Sequence, residues 1–131
     1  MNLDHIGIVV RDIAAALQVY QEALGLPLQE MQDLPDQQVR VAFLPVGESN
    51  LELVQPTSGD SGVARYLANR GEGIHHICIE VEDIEGALAR LQAHDVQLID
   101  QEPRRGAHGK VAFVHPKGAH GVLLELVEHD R

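Results

Sequence analysis

Aliphatic residues recur at every second position over Ile6, Ile8 and Val10, and again over Ile77, Ile79 and Val81. A period of two is the signature of a strand with two unlike faces. Just after each run the period changes. Ile13, Leu17, Tyr20 and Leu24 recur at helical spacing, as do Ile84, Leu88 and Leu91. Asp12 and Asp83 precede these helices as N-caps, because a carboxylate can accept a free first-turn N–H. Gly25 supplies a stop for the first helix. Further β-rich runs follow: Val39 to Leu44 and Asn50 to Val54 in the first half, Lys110 to Val114 and Val122 to Val127 in the second. Gly47 and Gly118 fall in the turns between them. Each half therefore reads βαβββ, an α+β pattern.

The two halves are copies of one unit. Leu3-Asp4-His5-Ile6-Gly7-Ile8-Val9-Val10-Arg11-Asp12-Ile13 lies over Ile74-His75-His76-Ile77-Cys78-Ile79-Glu80-Val81-Glu82-Asp83-Ile84. Val41-Ala42-Phe43 repeats as Val111-Ala112-Phe113, and Leu51-Glu52-Leu53-Val54 as Leu124-Glu125-Leu126-Val127. The offset stays at about 70 residues, too long for a solenoid repeat and suited to a duplicated supersecondary unit. We expect a single domain over 1–131, with module 1 at about 1–56, a connector at 57–72 and module 2 at about 73–131. Within the connector, Ser58-Gly59-Asp60-Ser61 can cap a short helix, Val63 to Asn69, that Gly71-Glu72-Gly73 ends.

Alternation sorts the strand residues by face. Ile6, Ile8 and Val10, with Ile77, Ile79 and Val81, form an aliphatic face expected to pack against the helices. The opposite face carries His5 and Glu52 in one half and His76 and Glu125 at the equivalent places in the other. A lone histidine or glutamate on a strand is usually just the polar side of a half-solvated sheet. The same two residue types at the same points of both repeats predict more. Under a pseudo-twofold axis they would supply two nitrogens and two carboxylate oxygens to Zn, Co, Ni, Mn or Fe in the divalent state. His75 is directed away from His76 by alternation and is the weaker ligand candidate.

Composition narrows the function. Twenty Asp and Glu against ten Lys and Arg give a net charge of -10, which argues against nucleic acid or anionic membrane as partner. Aromatics are 3% with no Trp, so base-stacking platforms are not expected. A single cysteine, Cys78, allows neither an internal disulfide nor a cysteine zinc cluster, and it reads as a small wall residue. The opening residues show no basic, apolar leader, and a cytoplasmic protein without a transmembrane helix is expected. Against the acidic background, Pro103 through Leu124 holds no Asp or Glu but contains Arg104, Arg105, Lys110 and Lys117 with three histidines. Such a stretch, with Gly106 and Gly109 allowing close backbone approach, suits an anionic ligand.

At these residues the sequence resembles the vicinal oxygen chelate (glyoxalase/bleomycin resistance/dioxygenase) superfamily, and within it most of all the methylmalonyl-CoA epimerase family. Leu3 to Val10, Val41 to Gly47, Leu51 to Pro56, Gly71 to Cys78, Gly106 to Lys117 and Gly121 to Leu126 carry the likeness. The Gly-x-Gly-Ile-His-His and His-Pro-Lys stretches are its most particular parts. The resemblance implies two tandem βαβββ modules forming an incomplete, cup-shaped β-barrel around a metal site, with helices on the outer face. It makes His5, His76 and Glu125 metal ligands, places Glu52 where a Gln or Glu ligand falls, and implies a divalent ion (Co, Mn, Zn or Ni). It implies a 1,1-proton transfer at C2 of methylmalonyl-CoA or a related acyl-CoA through an enolate. Glu125 and Glu52 are the acid/base candidates, and Arg40, Lys110, Lys117 and His115 the substrate contacts. Family members pair as homodimers. Some of them carry a glutamate where this chain has Arg40, and an arginine stays protonated. Three alternatives stand beside this reading: a glyoxalase I-type lyase acting on a glutathione thiohemiacetal, an extradiol dioxygenase, and a metal-free antibiotic-sequestering module.

Overall fold

The structure is a computed structural model that describes residues 1–106 and 108–131; Ala107, inside the glycine-flanked loop singled out above, lies outside the described residues. The strands are β1 (Asn2–Val9), β2 (Glu30–Leu34), β3 (Val39–Val46), β4 (Ser49–Pro56), β5 (Gly73–Glu80), β6 (Arg104–Arg105), β7 (Gly109–Val114) and β8 (Leu124–His129). The helices are α1 (Ile13–Leu17), continued by π-helical turns over Gln18–Ala23, α2 (Gly62–Arg70), α3 (Ile84–Ala93) and a 3-10 turn at Pro116–Ala119. The element order is βαβββ, then α2, then βαβββ. The chain divides into two compact units, Ile6–His75 and Met1–His5 together with His76–Arg131, so β1 contributes to both.

In the unit Ile6–His75 the strand order is β2-β3-β4-β1. β3 pairs antiparallel with both β2 and β4, Arg40 facing Asp33 on one side and Phe43 facing Glu52 on the other. Val10, Ile13, Ala42, Leu44 and Leu53 form one core cluster, with Ile8, Leu17 and Tyr20 packed against it. Val39, Val41 and Val54 form a second cluster, joined by Phe43 and Val63. The N-cap of α1 is as expected: Asp12 accepts from Ala14 N–H at 3.1 Å. The expected α-helix to Leu24 is replaced by π winding after Leu17, with Leu24 N–H donating to Val19 O at 2.9 Å, five residues back. Each residue turns through less angle in that winding, so Leu24 falls off the apolar stripe and is 66% exposed. Ser61 caps α2 through Ala64 N–H, and Gly71 ends it at φ +76°, a conformation that glycine adopts without steric cost.

In the other unit the order is β1-β5-β8-β7-β6, a mixed arrangement in which β5 and β8 run parallel and β7 pairs antiparallel with β6 and β8. Its core joins Val81, Ile84, Leu88, Ala112, Val114 and Leu126 with Ile79 packed against it, so Ile79 and Val81 of the expected aliphatic face pack with α3, and Ile77 does not belong to that cluster. Asp83 caps α3 through Gly86 N–H at 3.1 Å. The glycines of the positive loop serve the chain's own packing. Gly106 N–H donates to Gly109 O at 2.7 Å, and a Cβ on Gly109 would collide with the Glu128 carbonyl on β8.

Candidate metal centre

Three strands of one unit bring three donors together. β1 carries His5, β5 carries His76 and β8 carries Glu125, whose Cα is in register with Cys78 on β5 and Phe113 on β7. The His5 and His76 Nε2 atoms are 3.0 Å apart. Glu125 Oε1 lies 3.3 Å from His5 Nε2 and 3.4 Å from His76 Nε2. The three side chains are only 9%, 12% and 14% exposed, so their charges and lone pairs act through little water.

This triangle has the dimensions of a coordination face. Donors about 2.1 Å from one ion, separated by roughly 90° to 109°, lie about 3.0–3.4 Å from one another. Two imidazole nitrogens and a carboxylate oxygen form the donor set that borderline divalent ions accept, so the residues present fit such an ion. Cys78 is also within reach of His5 and Asp4, but it is fully buried. Burial pushes its thiol up to about 12. The His76 ring meets the Phe113 ring edge-on, centroids 6.2 Å apart. This contact adds an apolar wall on one side.

Glu52 is on β4 in the other unit, facing Phe43 across the β3–β4 pair. Arg40, exposed on β3 in that unit, donates through Nε to Asp33 Oδ1 at 2.7 Å, and this bond raises its pKa further. His75 stacks edge-on against Tyr66, centroids 4.8 Å apart. Lys110 on β7 donates to Glu85 at 3.1 Å, Arg104 to Asp100, and Arg105 to Asp130. Arg104, Arg105 and Lys110 thus have acidic partners drawn from outside the stretch, each cation itself exposed to the solvent that weakens such pairs. His115 begins the 3-10 turn, its Nδ1 accepting from Lys117 N–H at 3.0 Å, while the Lys117 side chain is exposed.

Two polar residues at the site escaped the sequence reading. Asp4 Oδ2 is 2.7 Å from His5 Nδ1, and Asp4 Oδ1 is 2.6 Å from His129 Nε2. Burial alone would raise the Asp4 carboxyl, yet the hydrogen bonds to His5 and His129 hold it below the ordinary value. The hydrogen bond to Asp4 likewise raises His129, against its partial burial. Strict alternation directs Asp4 away from His5, and His129 lies 125 residues from Asp4 in the chain, so only the adjacency of Asp4 to His5 hinted at either.

The profile of the Glyoxalase/Bleomycin resistance protein/Dioxygenase superfamily matches residues 4–113. The chain is 42% identical over 128 residues to the ethylmalonyl-CoA/methylmalonyl-CoA epimerase of Cereibacter sphaeroides, an alignment covering 95% of this chain and 96% of that protein. It is 40% identical over 127 residues to the mitochondrial methylmalonyl-CoA epimerase of Homo sapiens, across 95% of this chain and 72% of the human one. Among solved structures, it is similar to a variant of the Streptomyces coelicolor methylmalonyl-CoA epimerase in complex with 2-nitronate-propionyl-CoA. That likeness has a TM-score of 0.90 at 38% identity, over 98% of this chain and 94% of the other. It bears out the α+β fold class expected from the repeat.

Proposed function

Since the chain belongs to the glyoxalase/bleomycin resistance protein/dioxygenase superfamily and, within it, to the methylmalonyl-CoA epimerases, we propose that it interconverts the two C2 epimers of methylmalonyl-CoA by a metal-assisted 1,1-proton transfer. The observation that carries the metal part is the His5–His76–Glu125 triangle, whose edges of 3.0, 3.3 and 3.4 Å suit one divalent ion. The acyl-CoA part rests on the relatives, which include epimerases of methylmalonyl-CoA and ethylmalonyl-CoA and one solved with a propionyl-CoA analogue.

The chemistry follows from what is hard about the reaction. A hydrogen between a thioester and a carboxylate is weakly acidic, and its loss leaves an enolate whose oxygen charge must be stabilised. When bound, a divalent ion (Co, Mn, Zn or Ni) supplies positive charge for that oxygen. His5, His76 and Glu125 would hold the ion, and we assign Glu52, the counterpart of Glu125 by the repeat, as the fourth ligand. Inversion needs a proton carrier on each face of the planar enolate. Glu125 takes or returns the proton on one face and Glu52 on the other; Arg40 stays protonated and is assigned instead to substrate anions. Lys110, Lys117 and His115 are placed with it as contacts for the acyl-CoA, whose phosphates would replace exposed carboxylate partners such as Glu85. A cytoplasmic homodimer completes the proposal, and no helix among the described residues is long and apolar enough to cross a membrane.

The test is α-proton exchange of methylmalonyl-CoA in D2O, followed by NMR, with metal-free and metal-reconstituted protein. Metal-dependent loss of the C2–H signal with inversion supports the assignment. No exchange by protein shown to carry one equivalent of metal rejects it.

A further inference from the structure

We propose that Asp4 and His129 are positioning residues for His5: a hydrogen-bonded chain, His129–Asp4–His5, fixes the imidazole so that its Nε2 lone pair is presented to the ion. The inference rests on the metal reading above and concerns residues that direct coordination does not use.

The geometry is a chain of two short contacts. Each Asp4 oxygen meets a different imidazole, Oδ2 the Nδ1 of His5 at 2.7 Å and Oδ1 the Nε2 of His129 at 2.6 Å. An ionised carboxylate only accepts, so the hydrogen between Asp4 and His5 sits on Nδ1. A neutral imidazole with its hydrogen on Nδ1 has its lone pair on Nε2, the atom that faces His76 and Glu125. Asp4 therefore selects the tautomer that can ligate, and its negative charge makes that nitrogen a better donor.

Asp4 could turn about its own side-chain bonds, and the second contact restrains it. His129 lies four residues beyond Glu125 on β8, an even spacing that puts both on one face of that strand. One strand thus supplies a direct ligand at one point and the anchor of the chain at another. Nearby, Asn2 Nδ2 donates to Glu80 Oε1 at 3.2 Å, and Glu80 adds negative charge beside His129. Asp4, Glu80 and His129 also lie close enough together to suggest a second ion, but the direct Asp4–His129 contact already satisfies those atoms.

The full-length protein, metal-free and then loaded with Co(II), tests this in Asp4→Asn and His129→Gln forms. The readouts are Co(II) affinity by chelator competition, the Co(II) visible absorption band, and the number of ions bound, with circular dichroism to show folding. Asp4→Asn is expected to weaken Co(II) binding by about 10- to 100-fold and to shift the band. His129→Gln is expected to move both in the same direction by less, and it carries the test if Asp4→Asn does not fold. Wild-type affinity and band in both folded variants would overturn the chain while leaving the metal reading intact. Two ions in the wild type, with one lost in His129→Gln, would overturn it by making His129 a ligand. A wild type that binds no Co(II) would reject the metal reading itself, and the chain with it.

Discussion

The two βαβββ halves agree closely at the strand-to-helix junction and part company around their histidines. At the junction, Val10 N–H donates to Val54 O at 2.9 Å in one half, and Val81 N–H to Val127 O at 2.8 Å in the other. The next helix begins on a side-chain acceptor from the closing strand both times: Ile13 N–H to Gln55 Oε1 at 2.8 Å, and Ile84 N–H to Glu128 Oε1 at 3.0 Å. An aspartate caps each helix, and a fully buried isoleucine follows it. Beyond that point the halves differ. The first helix loosens into π turns while α3 stays regular, and β2 has five residues where β6 has two. Beside the paired histidines, Asp4 supports His5, whereas His75, at the equivalent position, packs on Tyr66. The duplicated part is what any such unit needs in order to fold. Divergence appears in the helix winding, in an edge strand and beside the histidines.

The two glutamates give the largest expected break in that symmetry. On the roles proposed above, Glu125→Gln would remove a ligand charge and a proton carrier together and is expected to lower turnover at least about 10³-fold. Glu52→Gln, at the equivalent place, should retain most of the metal and slow exchange of one epimer by roughly 10- to 100-fold. Deuterium incorporation measured separately for each epimer checks both. Full activity in the Glu52 variant would remove it from the acid/base pair.

At the junction, by contrast, the halves should respond alike. Ile13→Ala and Ile84→Ala each empty a fully buried position and are expected to cost about 2–5 kcal/mol, read from urea unfolding of the whole chain. A large inequality between them would show that the π turns after α1 absorb the cavity. A step smaller, Asp12→Ala and Asp83→Ala should each cost ~1 kcal/mol through loss of the cap. No change in either would mean that the Gln55 and Glu128 acceptors suffice by themselves.

Which features were legible in sequence follows from the range of the interactions behind them. The caps, the connector helix and the aliphatic strand faces depend on neighbours within a few residues, and Asp12, Ser61 and Asp83 stand where spacing puts them. His5, His76 and Glu125 were visible because duplication repeats two residue types in register. The π turns were not, since Ile13, Leu17, Tyr20 and Leu24 fit an α-helix equally well, and Leu17 and Tyr20 pack on the core in the π-wound form too. Nor was the His129–Asp4–His5 chain. Its first contact breaks the alternation rule, and its second joins the two ends of the chain, a pairing that no local pattern encodes.

The smallest expected effect concerns the position where the repeat places Gly7 in one half and Cys78 in the other. Cys78 is fully buried, in register with Glu125, and burial pushes its thiol up to about 12. At pH 8 an ordinary thiol near 8.5 is about one-quarter thiolate, whereas one near 12 is only about 10⁻⁴ thiolate. Labelling of the native protein by a disulfide reagent should therefore be on the order of 10³ times slower than labelling in urea, before any steric protection is counted. Catalysis should hardly change in Cys78→Ala, because the proposed ligand set does not include the thiol. Fast labelling of the folded protein would show that β5 and β8 separate at the Cys78–Glu125 pair. That motion would also move Glu125 relative to His76, and the triangle could then no longer be treated as a rigid coordination face.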